Sequence, residues 1–293
     1  NLGKKANIVI DYESLEEKTK GVVEMLRSNP DYKGLMLTIS EALEKANKNT
    51  LLISVDNHKD SLAISRSVLD KVKNKVIIDH HRRSEEFISS PVLTYLEPSA
   101  SSTVEVLVEL FDYQQHEIEI SSLDATIMYT GMLVDTNYFR QHVGTRTFQS
   151  AAKLKEAQAD LSLAYELLED SFECMKEIFD ITESAYRYKD KFLIATGKDE
   201  ELSRSTLAKA ANQLVYVSGI YAAFAIGYIS KNTVAISARS SKKVNVQMIM
   251  ENDALHGGGH FSMAACQIEN VTIEEAKERL EHAIDAYLED RGV

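Results

Sequence analysis

Apolar runs that stop abruptly at an aspartate constrain this chain more than any other feature. Residues 50–55 and 76–78 have the pattern of buried strands, and Asp56 and Asp79 follow them. Residues 122–133 have the length and apolar spacing of a buried helix, and Asp135 comes two residues later. The carboxyl ends of parallel strands meet at one edge of an open sheet, so we expect these acids to lie close together.

Strand-like and helix-like segments alternate through the first half of the chain. Further strands are predicted at residues 6–10 and 93–96, and helices at residues 14–27, 40–46, 60–70 and 103–111. Ser14 is the predicted cap of the first helix, and Ser102 or Thr103 that of the last. The alternation predicts the α/β class with a doubly wound, mainly parallel sheet.

The second half of the chain predicts a separate, smaller domain. Residues 150–188 are helical and charged without Pro or Gly, which suggests a helical connector. A mixed α/β pattern follows, with strands at 191–196, 222–230 and 233–238 and helices at 205–215 and 272–288. We therefore expect domains at 1–150 and 191–293, joined by a connector at 151–190.

Composition narrows the classes of function. The 293 residues are 44% hydrophobic and 27% charged, as expected of a soluble globular protein. The net charge of −12 argues against a long nucleic acid as partner. No apolar run reaches the roughly 18 residues of a membrane span, so we expect no membrane contact by this chain. Cys174 and Cys266 fit two free thiols in a reducing cytoplasm.

Histidines accompany the aspartates of the first half. His58 follows Asp56, and His80 and His81 follow Asp79. Imidazole beside carboxylate is a ligand set for transition metals, and a metal pair can activate water against a phosphoryl group. Each acid taken alone is more often a helix cap or a solvated loop residue. Their repetition at strand ends favours a metal site.

Other motifs suit an anion but also have ordinary structural explanations. Arg82 and Arg83 could contact phosphate oxygens, although adjacent side chains need not point the same way. Ser101 and Ser102 could bind an anion at a helix N-terminus or simply cap the helix. In the second half, the three glycines at 257–259 could form a phosphate cradle or a flexible loop.

Together these strings resemble the DHH/DHHA1 phosphoesterase superfamily. The matching segments are Val-Asp-Asn-His at 55–58, Asp-His-His at 79–81, Val-Asp-Thr at 134–136 and Gly-Gly-Gly-His at 257–260. Asp-His-His-Arg-Arg, Glu-Pro-x-Ala-Ser-Ser-Thr and Ser-Ala-Arg-Ser look like the membrane-anchored cyclic di-AMP phosphodiesterases of the GdpP type. The resemblance implies a DHH catalytic domain at 1–150 and a DHHA1 substrate-binding domain at 191–293.

The resemblance also implies roles for individual residues. It implies two Mn²⁺ ions in the complete site, with ligands at Asp56, His80 and Asp135. Asp79 would orient His80, His81 would face the scissile phosphate and His58 would support the site. From the second domain the nucleotide would be held by five residues: Arg239, Asn245, Gly258, Gly259 and His260.

One departure from the family concerns its first motif, His-x-x-x-Asp-x-Asp, which residues 1–5 cannot contain. Either the chain is cut inside the catalytic domain or further residues precede Asn1. If it is cut, the site is N-terminally incomplete, and we expect weak or absent metal binding and little activity. The expected activity of the complete site is hydrolysis of cyclic di-AMP to pApA. An oligoribonuclease or pAp phosphatase, and a fragment that binds cyclic dinucleotides without cutting, are the alternatives. We expect a parent protein anchored in the cell membrane, with this part of it facing the cytoplasm. A homodimer is a further possibility.

Overall fold

The computed structural model describes residues 4–114, 118–241 and 243–290, apart from the side chain of Glu17. The chain divides into two compact units, Asn1–Glu169 (unit 1) and Asp170–Val293 (unit 2). Within the described residues, no helix is both long enough and apolar enough to cross a bilayer.

Unit 1 begins with a small parallel sheet of two strands, β1 (Ile8–Val9) and β2 (Met36–Leu37). Helix α1 (Glu17–Ser28) lies between these strands in the sequence, and α2 (Ile39–Lys45) follows them. The predicted cap at Ser14 is wrong, because Ser14 ends a short 3-10 turn and α1 starts three residues later. Thr38 caps α2 instead, and Glu41 completes a capping box by accepting from the Thr38 amide.

A parallel sheet of three strands follows and carries the candidate site. It comprises β3 (Leu51–Val55), β4 (Asn74–Asp79) and β5 (Leu93–Leu96), in that order, with α3 (Arg66–Lys71) between the first two. Ile77 on β4 is completely buried and forms the core beneath the sheet. The opposite face is apolar but exposed at Leu51, Ile53 and Val55.

Helices complete unit 1. They are α4 (Thr103–Phe111), α5 (Ser122–Asp135), α6 (Thr145–Glu156) and α7 (Leu161–Glu166). Met132, Leu133 and Leu154 are fully buried where α5 and α6 meet. The predicted connector is therefore divided: α6 and α7 belong to unit 1, and α8 (Phe172–Glu183) belongs to unit 2.

Unit 2 is built on a six-stranded mixed sheet. Its further elements are β6 (Tyr186–Tyr188), β7 (Phe192–Glu201), α9 (Arg204–Val215), β8 (Ala222–Ser230), β9 (Thr233–Ser240), α10 (Val246–Met250), β10 (Gly258–His260), β11 (Met263–Glu269) and α11 (Ile273–Glu289). The strand order is β10-β11-β9-β8-β7-β6, and only β7 and β8 run parallel among the described pairs. The predicted α/β class is confirmed, with parallel sheets in unit 1 and a mixed sheet in unit 2.

The two faces of this sheet are covered by different helices. Phe224 and Ile226 on β8 pack on the side of α10 and α11, while Ala223 and Ala225 pack on the side of α8 and α9. This alternation follows from the two-residue period of a strand. Helix α9 leaves part of the β9–β11 face open, and a cleft lies there.

Candidate active site

Asp56 lies directly after β3 in a left-handed backbone conformation, with φ of 61°. Aspartate tolerates this region better than most non-glycine residues, although the conformation costs energy. The Asp56 amide donates to Ile78 O at 2.9 Å, which ties the turn to the neighbouring strand β4. Its carboxylate Oδ1 accepts a hydrogen bond from Thr103 Oγ1 at 2.7 Å, at the start of α4. The residue is thus fixed although it is exposed.

Asp79 ends β4 and is completely buried. Its Oδ2 lies 2.5 Å from His58 Nδ1, and its Oδ1 lies 2.7 Å from His81 Nδ1 and accepts from the His81 amide at 3.0 Å. Burial favours the neutral acid, but the bonds from His81 and His58 outweigh it and hold the pKa of Asp79 well below its usual range. Asp79 therefore orients His58 and His81. The expectation that it orients His80 is wrong.

His80 is oriented by the main chain instead. Its Nδ1 lies 3.3 Å from Ala100 O, so the opposite ring nitrogen is directed toward the acids. Nε2 lies 3.4 Å from Asp56 Oδ1 and 4.0 Å from Asp135 Oδ2. Asp135 is the last residue of α5, so three elements of unit 1 contribute to one cluster.

The donor set of this cluster fits a divalent metal. Ligand atoms of Asp56, His80 and His81 all lie within 4.8 Å of one another, and Asp135 adds a fourth donor. Ligands around an octahedral ion bound at about 2.1 Å lie roughly 3 Å apart when adjacent and 4.2 Å when opposite. The 3.4 and 4.0 Å separations fall in this range. Mixed carboxylate and imidazole ligands suit ions such as Mn²⁺.

Electrostatics also favour a cation here. Burial, followed by the nearby charge of Asp56, raises the pKa of Asp135 to about 6. A bound cation would relieve this repulsion between carboxylates. The pKa of His81 is raised, chiefly by its hydrogen bond to Asp79, so the protonated imidazole is favoured beside the cluster. Its side chain is 47% exposed, which leaves it accessible to a ligand.

Within the described residues, the contacts of the remaining predicted site residues of unit 1 are to residues outside the metal-type cluster. Arg82 and Arg83 are exposed, and the Arg83 guanidinium lies over the Phe87 ring at 4.8 Å. The hydroxyl of Ser101 donates to buried Glu105 at 2.6 Å, and that of Ser102 caps α4 by accepting from the Glu105 amide. Their roles in substrate binding stay predictions. His58 is buried, and its Nε2 also lies 3.1 Å from Ser84 Oγ; its role in supporting the site stays a prediction.

In unit 2 the predicted substrate residues border a cleft of about 360 Å³. Arg239, Gly258 and Gly259 line it, whereas His260 is exposed at the end of β10. Arg239 is partly buried, which lowers its pKa, and its Nε donates to Asn212 Oδ1 at 2.9 Å.

Two features of unit 2 differ from their sequence-based interpretation. Gly258 and Gly259 of the glycine run begin a short strand paired with β11 rather than a loop, and Gly257 directly precedes that strand. Asn245 caps α10, since its Oδ1 accepts from the Gln247 amide at 3.1 Å. Its predicted contact with a nucleotide is untested.

Sequence reasoning missed three relevant residues. Thr103 holds the Asp56 carboxylate, but a threonine beside a helix cap gives no signal of that contact. Arg204 and Gln267 line the cleft of unit 2 from α9 and β11, which are far apart in sequence. Only the tertiary fold brings them together.

Two family profiles match the chain. The profile described as DHH family, N-terminal domain, matches residues 5–132, and the profile described as DHHA1 domain matches residues 189–290. The first contains Asp56, Asp79 and His80 and ends just before Asp135. The second contains the whole cleft of unit 2.

Characterised relatives are similar over nearly the whole chain. Cyclic-di-AMP phosphodiesterase GdpP of Bacillus subtilis is 39% identical over 285 residues, which are 96% of this chain and 43% of that protein. Cyclic-di-AMP phosphodiesterase PdeA of Listeria monocytogenes is 42% identical over 280 residues, 91% of this chain and 42% of that protein. The chain therefore spans less than half the length of these relatives.

A solved structure shares the fold. An exopolyphosphatase-related protein from Bacteroides fragilis superimposes with a TM-score of 0.76 over 96% of this chain and 83% of its own, at 19% identity. At that identity the likeness concerns the fold alone.

Proposed function

This chain belongs to the DHH family and carries a DHHA1 domain, and from that premise we propose that it is a metal-dependent phosphodiesterase that hydrolyses cyclic di-AMP to pApA. The observation that carries the proposal is the convergence of Asp56, His80 and Asp135 from β3, β4 and α5. The relatives named for this activity support the choice of substrate.

We assign Mn²⁺ to this cluster, held by the Asp56 and Asp135 carboxylates and His80 Nε2. When bound, such an ion lowers the pKa of water and offsets negative charge on a phosphoryl group. Thr103 keeps the Asp56 carboxylate in place, and Ala100 O fixes the tautomer of His80 by accepting from Nδ1–H. Asp56, His80 and Asp135 thus supply three donors to one ion and fall short of an all-protein shell for two.

His81 is the proposed contact to the scissile phosphate. Asp79 fixes its ring through two hydrogen bonds and favours the protonated form, which can donate to a phosphate oxygen. His58 Nδ1 contacts the other carboxylate oxygen of Asp79, so one buried carboxylate orients both His58 and His81.

The reaction itself adds one water across a phosphodiester bond. The water oxygen binds phosphorus, the bond from phosphorus to a 3′ oxygen breaks, and that oxygen takes a proton. The product pApA therefore carries a 5′ phosphate. Protonated His81 has the hydrogen-bonding capacity to stabilise the charge that develops on the phosphoryl oxygens.

Unit 2 is proposed to bind the nucleotide. Arg239 carries a guanidinium suited to phosphate, and Gly258 leaves open space beside β10. His260 and Asn245 remain proposed contacts on the strength of the family resemblance. These residues would select the dinucleotide, while unit 1 supplies the metal cluster.

Binding without hydrolysis is the second candidate. It is favoured by the small number of metal ligands proposed among the described residues, since a metal pair needs more ligands than Asp56, His80 and Asp135 provide. An oligoribonuclease or pAp phosphatase would use the same cluster on a linear substrate.

The products formed with MnCl₂ distinguish these candidates. The chain is incubated with cyclic di-AMP, pApA or pAp, and products are separated by chromatography. We expect pApA from cyclic di-AMP and slower turnover of the two linear substrates. Asp135→Ala should abolish it, whereas Asp70→Ala, which removes an exposed acid of the same unit, should not.

Retention of full activity by Asp135→Ala would refute the assignment. Preferred turnover of pApA or pAp would identify one of the nuclease-type activities. Tight binding of cyclic di-AMP with no product would establish the non-catalytic candidate.

A further inference from the structure

The chain leaves helix α5 through an uncommon turn directly after Asp135. Asn137, Tyr138 and Phe139 have φ values of 47°, 57° and 59°, so three successive residues with side chains lie in the left-handed region. This region costs free energy for residues other than glycine and is normally visited by single residues. Such strain persists only where surrounding contacts impose it, and it is concentrated at functional sites.

The end of α5 accounts for only the first of these residues. The Asn137 amide donates to Val134 O at 3.1 Å, and the Tyr138 amide donates to Leu133 O at 2.8 Å. These two bonds form a motif that closes many helices, in which one residue after the helix is left-handed. That residue is Asn137. The left-handed conformation of Tyr138 and Phe139 therefore needs another cause.

Thr136 supplies the hydrogen bonds that extend the turn. It is completely buried, and three successive amides converge on it. The Phe139 amide donates to its Oγ1 at 3.0 Å, and the amides of Arg140 and Gln141 donate to its carbonyl oxygen at 3.0 and 2.9 Å. Its own hydroxyl donates to Met132 O at 2.6 Å, inside α5. One buried threonine thus joins the end of the helix to the turn that follows.

Aromatic contacts hold the side chains of the same turn. The Phe139 ring lies 5.7 Å from the rings of both Tyr129 and Phe148. Tyr138 stacks on Tyr165 with ring centroids 5.9 Å apart and an angle of 14° between the rings. These contacts anchor the side chains of the turn, whereas the hydrogen bonds described above anchor its backbone.

Asp135 is the proposed metal ligand that depends on this turn. Asp56 is held by a hydrogen bond from Thr103, but among the described residues no hydrogen bond is made to the carboxylate of Asp135. Its Oδ2 lies 4.0 Å from His80 Nε2. Because no donor fixes this carboxylate, its direction depends on the backbone on either side, which is the last turn of α5 and Thr136.

We propose that Thr136 is a positioning residue that directs the Asp135 carboxylate into the metal cluster by imposing the left-handed turn at 137–139. The inference rests on the proposed metal cluster of unit 1. In this role Thr136 touches neither the ion nor the substrate. Removal of a group that orients a metal ligand typically weakens metal binding about ten- to a hundredfold, so a loss of about tenfold is expected without the hydroxyl of Thr136.

Thr126 provides a matched control on the same helix. It is also buried, its hydroxyl donates to Ser122 O at 2.7 Å, and its Oγ1 accepts from the Asp160 amide at 2.8 Å. Replacement of either threonine by valine therefore removes one donor and one acceptor from a buried site. The two valine variants should lower the Tm by similar amounts. Only Thr136 is adjacent to a proposed metal ligand.

Mn²⁺ binding without substrate tests the proposal. The whole chain is titrated with MnCl₂, and the EPR signal of the free ion is followed. Thr136→Val should weaken Mn²⁺ binding about tenfold, and Thr136→Ser, which keeps the hydroxyl, should restore it. Thr126→Val should bind Mn²⁺ at the parent value.

Amide hydrogen exchange in EDTA provides a readout that needs no metal. Thr136→Val should accelerate exchange of the Phe139 amide, because this amide loses its acceptor. Thr126→Val should accelerate exchange of the Asp160 amide instead.

A second pair of variants tests the turn without altering Thr136. Asn137→Gly and Asn137→Val both remove the side-chain amide, but glycine accepts the left-handed conformation and a β-branched residue resists it. Asn137→Gly should bind Mn²⁺ as the parent does, whereas Asn137→Val should weaken binding as Thr136→Val does. This pair decides the matter if Thr136→Val does not fold.

Several results would overturn the proposal. They are no measurable Mn²⁺ binding by the parent chain, parent-like binding by Thr136→Val, an equal loss in Thr136→Val and Thr126→Val, equal affinities of the two Asn137 variants, and unchanged exchange of the Phe139 amide in Thr136→Val. Mn²⁺ affinities in the expected order, without hydrolysis of cyclic di-AMP by the parent, would refute the proposed function and leave this inference standing. Hydrolysis by the parent together with parent-like Mn²⁺ binding by Thr136→Val would do the reverse.

Discussion

Gly257, which precedes β10, and Gly258, its first residue, provide a matched pair of substitutions with opposite expectations. A Cβ at Gly257 would lie 2.6 Å from Ala265 O, 2.7 Å from Cys266 Cβ and 2.8 Å from Met250 O. A Cβ at Gly258 would meet no heavy atom within 4 Å. Gly257→Ala should therefore destabilise unit 2, whereas Gly258→Ala should not.

The size of the effect follows from what each new methyl group meets. The neighbours of Gly257 are backbone or Cβ atoms, which cannot rotate away, and its own amide is bonded to Met250 O at 2.7 Å. Overpacking of this kind costs about 1–3 kcal/mol. Gly258→Ala meets no clash and reduces the freedom of the unfolded chain, so its effect should lie between zero and about 1 kcal/mol of stabilisation.

Scanning calorimetry is the appropriate assay, because the chain contains no tryptophan for fluorescence. For a unit of this size, 1–3 kcal/mol corresponds to roughly 5–15 °C in the Tm of unit 2. Gly257→Ala should lower that Tm, and Gly258→Ala should leave it at the parent value or raise it by up to about 5 °C. Equal Tm values for the two variants, or a larger loss in Gly258→Ala, would refute the packing of β10 against β11 on which the cleft depends.

Three further predictions concern other parts of the chain. Glu105 is buried, and the hydroxyls of Ser101 and Thr147 both donate to its Oε2. Glu105→Ala removes this acceptor and should cost about 2–4 kcal/mol in denaturant unfolding. Glu105→Gln keeps an acceptor oxygen, so equal stability of the Ala and Gln variants would contradict this. Burial raises the pKa of the Cys266 thiol to about 12, so iodoacetamide at pH 8 should modify Cys174 first, and mass spectrometry showing the reverse order would count against the packing of β11. Hydrogen bonds from Thr272 lower the pKa of Glu275 below its ordinary value of 4.5. The contribution of ionised Glu275 to the stability of α11 is therefore complete above pH 4.5 and is lost as the pH falls through the lowered pKa. A Glu275→Gln variant with the same acid unfolding profile as the parent would exclude that contribution.

The positions of the metal-type residues could be predicted because they follow from a strong local pattern. Apolar runs locate β3 and β4, and the geometry of parallel sheets then places Asp56 and Asp79 at one edge. The direction of each side chain could not be predicted. Asp79 lies one residue from His80 but bonds to His58 and His81, since successive side chains of a strand leave on opposite faces.

Strands with unusual composition were the hardest elements to predict. β10 consists of two glycines and a histidine, which give no β-propensity, and pairing with β11 alone makes it a strand. Helices α6, α7 and α8 occupy most of the stretch at 150–188 predicted to be helical, but its end at Tyr186–Tyr188 is strand β6. The unit to which each helix belongs depends on the core against which it packs. The hydrophobic periodicity of a helix shows that one face is buried but does not show which core buries it.

Anomalous diffraction from crystals of this chain grown with MnCl₂ would test the central claim most directly. We expect a manganese peak within about 2.0–2.2 Å of carboxylate oxygens of Asp56 and Asp135 and of His80 Nε2. A map with no peak at that cluster, or with the ion bound by other residues while cyclic di-AMP is still hydrolysed, would contradict it.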